Sequence, residues 1–484
     1  MKRISLIKSM SLLNRTFMIL ALGLASLTSV AKDRLVVSKA PAGIELKNDF
    51  KVQARTSGGE WQDIDTYAFK VDRVADAKHN VEVTSVAKFE FEGKVEIQVK
   101  SIAQDIKSFK VRPNSYGIEA KQEGNTLTFS LDRPRYLSVE INGNIYQNLQ
   151  IFADNILEKP KVKKKKDLMY FGPGVHDFKG DSIHIASGKT VFIDNGAVIK
   201  GWLSTYGSRD VKILGHGIVM PGHHEGIMVR YSKNVYIDGP LTTQLPIGGS
   251  DSVTVKKAKV MSWYGWGDGF NIFASNNIYQ EHLFARTSDD CSTIYCTRKN
   301  YHGGCKNITI KDFVMWADVA HPIMIGLHSE TPENEDIINV LYDNIDILEH
   351  AENQIDYQGC IGINNGDNIL VKGVTFQNFR IDNIRKGMLF NMRVCFNKKY
   401  CSAPGRGIED ITLRNIAYTG EAPNMGIIAG YDENRKVKNI RFENFTINGK
   451  VISDDMPGKP KWYKTADMAN IYVNDHVDNI TFSK

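Results

Sequence analysis

Asn307-Ile308-Thr309-Ile310, read together with its copies along the chain, decides the fold. An Asn, Asp or Ser followed by an alternating apolar run recurs at Asp210-Val211-Lys212-Ile213, Asn234-Val235-Tyr236-Ile237, Ser252-Val253-Thr254-Val255, Asn277-Ile278-Tyr279, Asn339-Val340-Leu341-Tyr342, Asn368-Ile369-Leu370-Val371, Asp410-Ile411-Thr412-Leu413, Asn439-Ile440-Arg441-Phe442 and Asn479-Ile480-Thr481-Phe482. Most steps between copies are 24–32 residues, with departures where loops are inserted. A repeat of this length, built of strands with almost no helical periodicity, predicts a right-handed parallel β-helix. Inward Ile, Val, Leu and Phe would stack coil on coil, while Asn and Gly take left-handed corners that β-branched residues resist. Tandem β-sandwiches are the competing architecture, but they need N-G or D-G hairpin turns between most strands, and these are few.

Working outward toward the N-terminus, residues 32–158 have another texture. Short runs such as Val95-Glu96-Ile97-Gln98-Val99, Leu127-Thr128-Phe129 and Tyr136-Leu137-Ser138-Val139-Glu140-Ile141 alternate apolar and polar between Gly, Asn and Asp turns. This period-2 pattern predicts a β-sandwich with no catalytic cluster of its own, an accessory or packing domain. The basic, Pro-containing run K-P-K-V-K-K-K-K at 159–166 reads as a solvated linker. It lacks the interleaved aromatics of a nucleic-acid surface, so no nucleic-acid partner is expected. The β-helix then occupies 167–484, and the expected class is all-β.

Lys2, Arg3, Lys8 and Arg15 precede an apolar run, Phe17 to Leu27, that ends in Ser29-Val30-Ala31. This predicts a secretory signal peptide over 1–31, cleaved after Ala31, with a secreted or periplasmic destination. The run is too short for a membrane span, which needs about 20 apolar residues. Removing its four positive charges takes the formal net charge from +6 to +2, so no polyanion preference follows. In an oxidising compartment the six cysteines permit disulfides, Cys395 with Cys401 and Cys291 or Cys296 with Cys305, while Cys360 completes the set. No C-x-x-C or clustered Cys/His spacing suggests zinc. Neither a metal nor a cofactor is expected.

The chemistry sits in one short stretch: Asp268 in W-Y-G-W-G-D-G-F, then Asp289 and Asp290 in T-S-D-D-C. One solenoid coil takes roughly 20–30 residues, so these would stack on successive coils of one face. With strands about 4.7–4.9 Å apart, three carboxylates crowd one patch. Like charges so close raise at least one pKa and leave a protonated acid beside ionised bases, the equipment of a glycosidase. Aspartates as ordinary turn residues on a polar surface are the plainer alternative.

The motifs Y-F-G-P-G-V-H (170–176), T-V-F-I-D-N-G-A-V-I-K-G (190–201), V-K-I-L-G-H-G-I-V (211–219), D-G-F-N-I-F (268–273), S-D-D-C-S-T-I-Y (288–295), A-H-P-I-M-I-G (320–326) and G-M-L-F-N-M-R-V (387–394) resemble glycoside hydrolase family 49. That is the dextranase and isopullulanase group, related to the polygalacturonases of family 28. The likeness spans residues 33–484, including the sandwich-then-helix order. It implies inverting hydrolysis, in which an acid protonates the leaving oxygen while a carboxylate activates water on the opposite ring face, the two roughly 6.5–9.5 Å apart. Carried over, Asp289 matches the general acid, and Asp268 and Asp290 match the pair that activates water. Consecutive strand residues point to opposite faces, so Asp289 and Asp290 share a cleft only if the chain bends there. His321 stands in A-H-P, where family 28 has Gly-His-Gly, and is an ancillary site residue.

The family 28 enzymes grip the uronate with an Arg-x-Lys, and Cys360-Ile361-Gly362-Ile363-Asn364-Asn365-Gly366-Asp367-Asn368 holds neither cation. A planar carboxylate calls for a bidentate Arg, so the absence favours a neutral, α-linked polysaccharide. Arg286, Arg298, Lys299 and Arg393 remain sources of charge from other coils, and Arg393 joins the substrate-binding set. Trp263, Tyr264, Trp266 and Tyr295 complete it, since sugar faces stack on aromatic rings, and alternation leaves at least one of the first three exposed. Three classes follow: a glycosidase with polysaccharide as its partner, neutral or acidic; a lyase that neutralises a uronate with Ca²⁺; and a non-catalytic glycan-binding solenoid, which fold alone does not separate from an enzyme.

Overall fold

The computed structural model describes residues 33–484 apart from 77, 223, 224, 264, 330, 332 and 422. The expected signal peptide therefore lies outside the described residues, as does Tyr264. Residues Asp33–Lys484 form one compact unit. Among the described residues no helix is long and apolar enough to cross a membrane.

Among the described residues, 27 strands from Leu168 to Ser483 join in one ladder, parallel in every pairing but that of Lys450–Ile452, a parallel β-helix. One long run of register carries the sequence repeat: Asp251–Lys256 pairs with Asn276–Thr287, which pairs with Cys305–Ala317, then Glu335–Glu349, Ile369–Ile381 and Gly407–Tyr418. All ten residues that open the repeated motif, from Asp210 (φ 57°) to Asn479 (φ 64°), have left-handed backbone. Asn is chosen there because its short polar side chain tolerates this region and hydrogen-bonds locally. In this solenoid it bonds to the next coil. Asn307 Nδ2 donates to Asn277 Oδ1 at 3.0 Å, and Asn339 Nδ2 to Asn307 Oδ1 at 2.8 Å. A second ladder turns the same strands midway, with Asn415 donating to Asn378 and Asn444 to Asn415, both at 2.9 Å. Between the corners, Ile278, Ile308, Val340 and Val374 belong to one continuous buried core.

Residues 34–155 fold as two sheets. One holds Phe50–Thr56, Val95–Ser101 and Thr126–Leu131 with two short edge strands; the other holds Lys78–Glu92, Arg135–Ile141 and Leu149–Asn155 with three more. Val52, Ile97 and Phe129 of the first pack against Phe89, Leu137 and Ile151 of the second. The alternation in Tyr136–Ile141 predicts one solvated face, yet Ser138 and Glu140 are buried as well. The reason is that this sheet lies on the β-helix. Tyr67, Phe69, Val71 and Phe152 pack on Met261, Phe284, Val314 and Trp316 of the solenoid. The polar positions on that face find partners across the seam: Arg112 bonds Glu140 at 2.7 Å and Glu349 at 2.8 Å, and Lys259 bonds Asp154 at 2.8 Å. Arg286, a candidate source of charge for substrate, is instead fully buried in this seam. It forms a bidentate pair with Asp318 (2.8 and 3.1 Å) and donates to Asn148 of the sandwich.

The cysteines expected as staples are six free thiols. Cys291, Cys296, Cys305 and Cys360 sit in the β-helix core, where a thiol behaves as a small apolar side chain. Cys395 and Cys401 lie near each other with both thiols free.

Candidate active site

Asp268 lies two residues before Phe270, Asp290 two before Ser292, and His321 two before Ile323. Phe270 pairs with Ser292, and Ser292 with Ile323, so the three residues are register-equivalent on three successive coils. Asp289 enters the same cleft because the strand Asn276–Thr287 ends before it, and Ser288–Cys291 make a corner rather than a straight strand. Thr287 Oγ1 donates to Asp289 O at 2.5 Å, and the amides of Ser288 and Asp289 both donate to Gly267 O, at 3.1 and 3.2 Å. The bend that the adjacent pair requires is thus present.

One carboxylate oxygen from each of Asp268, Asp289 and Asp290 lies within 4.8 Å of the others. This is closer than the roughly 6.5–9.5 Å expected of an inverting pair. The cause is the strand spacing, since Asp268 and Asp290 occupy matched positions on adjacent coils. Asp268 and Asp289 are half-buried and reach the cleft, whereas Asp290 is buried beneath them.

Environment separates the three carboxyls. Asp290 Oδ1 accepts from His321 Nδ1 at 2.6 Å and from the His321 amide at 3.1 Å, and Asp290 Oδ2 accepts from the Tyr295 hydroxyl at 3.0 Å. The other ring nitrogen, His321 Nε2, meets the carbonyl oxygen of Tyr357. Both ring nitrogens face acceptors, so the imidazole donates twice and carries a proton on each, an imidazolium. Burial disfavours that charge, but the Asp290 carboxylate outweighs it and pushes the His321 pKa up. Burial likewise works against charge on Asp290; the His321 cation and these hydrogen bonds prevail and hold it below the usual carboxylate range. Burial and the charges of Asp268 and Asp290 push Asp289 well above that range. Burial, then the charge on Asp290, takes Asp268 up to about 7, against a pull downward from Arg298. The environment thus favours a protonated Asp289 beside an ionised Asp290, the pairing that acid/base chemistry uses.

Asp268 opens into a pocket of about 370 Å³ whose walls include Tyr231, Tyr301, Arg230, Arg298, Lys299 and Glu225. Tyr301 stacks on Phe273 with centroids 5.8 Å apart and planes 10° apart, and the Arg298 guanidinium lies 5.2 Å over the Tyr295 ring. Of the expected aromatics, Trp266 is 80% exposed beside Asp268, and Trp263 is half-buried with Lys70 Nζ of the sandwich 4.2 Å over its ring. Tyr295 is buried, so its ring offers no sugar platform and its hydroxyl serves Asp290 instead. Arg393 lines another cavity, of about 270 Å³ beside Tyr357 and Asn397, and donates to Asp356 O. Sequence reasoning missed Arg230 and Tyr231, which come from a coil remote in sequence. The pairing of Tyr206 and Tyr231 rings at 5.4 Å across two coils left no local signal.

Residues 247–459 match the family described as Glycosyl hydrolases family 28. Among solved structures, the chain is similar to Dex49A from Penicillium minioluteum, at 13% identity and a TM-score of 0.61 over 92% of this chain and 96% of that one. It also matches a family 28 exopolygalacturonase from Yersinia enterocolitica at 11% identity and a TM-score of 0.48, over 80% of this chain and 96% of the other. A comparison with curated proteins returned no match. The fold is that of Dex49A, and the matched segment contains all three aspartates and His321. The likeness to family 28 is thus carried by residues 247–459, and the likeness in fold to Dex49A by nearly the whole chain.

Proposed function

We propose that this protein is an exported, inverting hydrolase of a polysaccharide, with Asp289 as general acid and Asp290 and Asp268 as the pair that holds and deprotonates water. The observation that carries this reading is the divergence of Asp289 and Asp290, adjacent in sequence, one kept protonated by its neighbours and the other kept ionised by the His321 imidazolium. Asp289 delivers its proton to the glycosidic oxygen as the anomeric C–O bond breaks. The water held by Asp290 and Asp268 attacks that carbon from the opposite face and gives up its proton to them. In this reading two carboxylates share one water, which a nucleophile–acid pair does not need, although the carboxylate oxygens lie as close as in a retaining enzyme. Export rests on the leader read at residues 1–31.

The missing Arg-x-Lys favours a neutral, α-linked substrate. A second reading, an acidic glycan, is favoured by Arg230, Arg298 and Lys299 in the walls of the pocket beside Asp268. A reducing-sugar screen of the mature protein on dextran, pullulan, neutral galactans and polygalacturonate separates the two, with Asp289→Asn alongside. Release that vanishes in the variant supports the acid assignment. Proton NMR of the first product anomer tests inversion, and retention would instead make one of the bases a nucleophile. No release from any glycan by the folded protein would overturn the proposal.

A further inference from the structure

The loop that delivers Asp268 is held from outside the β-helix. Residues 262–267 connect the strand Lys259–Met261 to Phe270–Phe273. On the inner side this loop is tied to the acid's own corner, because Gly267 O accepts the Asp289 amide at 3.2 Å and Gly267 N donates to Ser288 Oγ at 3.2 Å. On the outer side it meets the sandwich hairpin formed by Thr66–Ala75 and Lys78–Glu92. Asp72 Oδ2 accepts the amide of Gly265 at 3.2 Å and bonds His79 Nδ1 at 2.7 Å. A side chain on Gly265 would stand 3.6 Å from the His79 ring, so the loop backbone lies directly against it. Lys70 Nζ caps the Trp263 ring at 4.2 Å.

Asp72 is 1% exposed, and its other oxygen, Oδ1, finds no hydrogen-bond partner among the described residues. A buried carboxylate is a poor choice for adhesion alone, because apolar residues of similar volume hold a seam as well or better. The same hairpin already supplies them, with Tyr67, Phe69 and Val71 packed on the solenoid. What Asp72 adds is direction. Its hydrogen bond fixes one backbone amide three residues before Asp268.

We infer that the sandwich is part of the catalytic apparatus: its hairpin clamps the 262–267 loop, with Asp72 and Lys70 as positioning residues that set Asp268 against Asp289. The inference rests on the acid/base reading above. Neither residue touches the cleft carboxylates, so each acts on turnover through the loop. Loosening the loop also weakens the repulsion that Asp289 feels. The charged groups facing Asp289 are Asp268, Asp290 and Glu352, and those facing Asp268 are Asp290, Arg298 and Glu225. Of these, the spacings of Asp268 from Asp289, Asp290, Arg298 and Glu225 depend on the clamp, whereas those of Asp289 from Asp290 and Glu352 do not.

The test compares wild type, Asp72→Ala, Asp72→Asn and Lys70→Ala on dextran and polygalacturonate, with hydrogen exchange of the 262–267 segment read in parallel. A misplacement of about 1 Å costs up to roughly a hundredfold. Asp72→Ala is expected to lower kcat on the order of tenfold or more with KM little changed and to speed exchange at Gly265. The alkaline limb of its kcat profile should move to lower pH. Asp72→Asn keeps an acceptor for Gly265 and should recover most of the loss. If Asp72→Ala does not fold, Lys70→Ala, altered at an exposed side chain, should show the same pattern at smaller size. Wild-type kcat in these variants, or a loss that follows Tm and that Asp72→Asn does not recover, overturns the clamp alone. A folded wild type that cleaves neither glycan overturns the acid/base reading and the clamp with it.

Discussion

Two polar stacks run along this solenoid, and they differ in one chemical respect. At the corners, Asn277, Asn307 and Asn339 sit a coil apart, each amide donating to the one before it. In the cleft, Asp268, Asp290 and His321 also sit a coil apart, at matched register. An amide carries both donor and acceptor, so a column of identical Asn side chains satisfies itself. An ionised carboxylate only accepts, so a column of Asp is frustrated until something supplies protons. Here Asp289 retains one, and His321 gives Asp290 two N–H donors, its ring Nδ1 and its backbone amide. The same geometry that gives a structural staple with amides gives a poised acid and base with carboxylates.

The comparison breaks most visibly at the acid. Asp289→Asn turns the proton donor into an amide that cannot protonate a leaving oxygen. Turnover on the screened glycans should fall on the order of a thousandfold, measured as reducing ends, with Tm unchanged or higher. Next in size is His321→Gln, which keeps a donor for Asp290 and removes the charge. Turnover should fall roughly a hundredfold. Since Asp290 then loses what holds its pKa down, the acid limb of kcat should move to higher pH; an unmoved limb would mean that His321 serves packing alone.

The neutral stack predicts an effect on stability and none on catalysis. Asn339, at φ 61°, bonds to Asn307. Asn339→Ala loses that bond and leaves a β-carbon in the left-handed region without the polar side chain that makes it tolerable, costing about 2 kcal/mol, while Asn339→Gly loses the bond but removes the β-carbon and costs about 1 kcal/mol. Chemical unfolding measures both, and equal costs would remove the conformational part of the argument. Smallest is the reversal expected at Asp268. Its carboxyl rises from 3.8 to about 7 in the folded protein. A raised folded pKa gives stability that is complete below the unfolded pKa and is lost as pH climbs through the folded one. Wild-type stability should thus decline from roughly pH 4 to 7, and Asp268→Asn should flatten that slope and gain about 1 kcal/mol at neutral pH, discounted for a half-exposed group.

How far the sequence carries depends on how local each cause is. The repeat was legible because a corner needs a left-handed residue once per coil, and all ten motif-opening positions adopt that backbone. The gathering of Asp268, Asp289 and Asp290 was legible because strand spacing is fixed. Tyr295 was misplaced as a sugar platform because burial depends on Ile294 and Tyr295 lying between two further coils, which composition near Asp290 does not encode. Arg286 was readable as a charge for substrate only until the sandwich covered it with Asn148 and Ile145. The burial of Ser138 and Glu140 was not legible for the same reason, since alternation does not say that both faces of a sheet have partners.

The central claim is the distribution of protons over the carboxylate patch, and carbon-13 NMR of aspartate-labelled protein tests it most directly. Difference spectra at pH 7 between wild type and each of Asp289→Asn and Asp290→Asn assign the two resonances. The account predicts that the signal lost with Asp289 lies at the protonated carboxylic-acid shift, while the signal lost with Asp290 lies at the carboxylate shift and stays there down to at least pH 4. Two carboxylate shifts at pH 7, titrating together in the ordinary range, would contradict it.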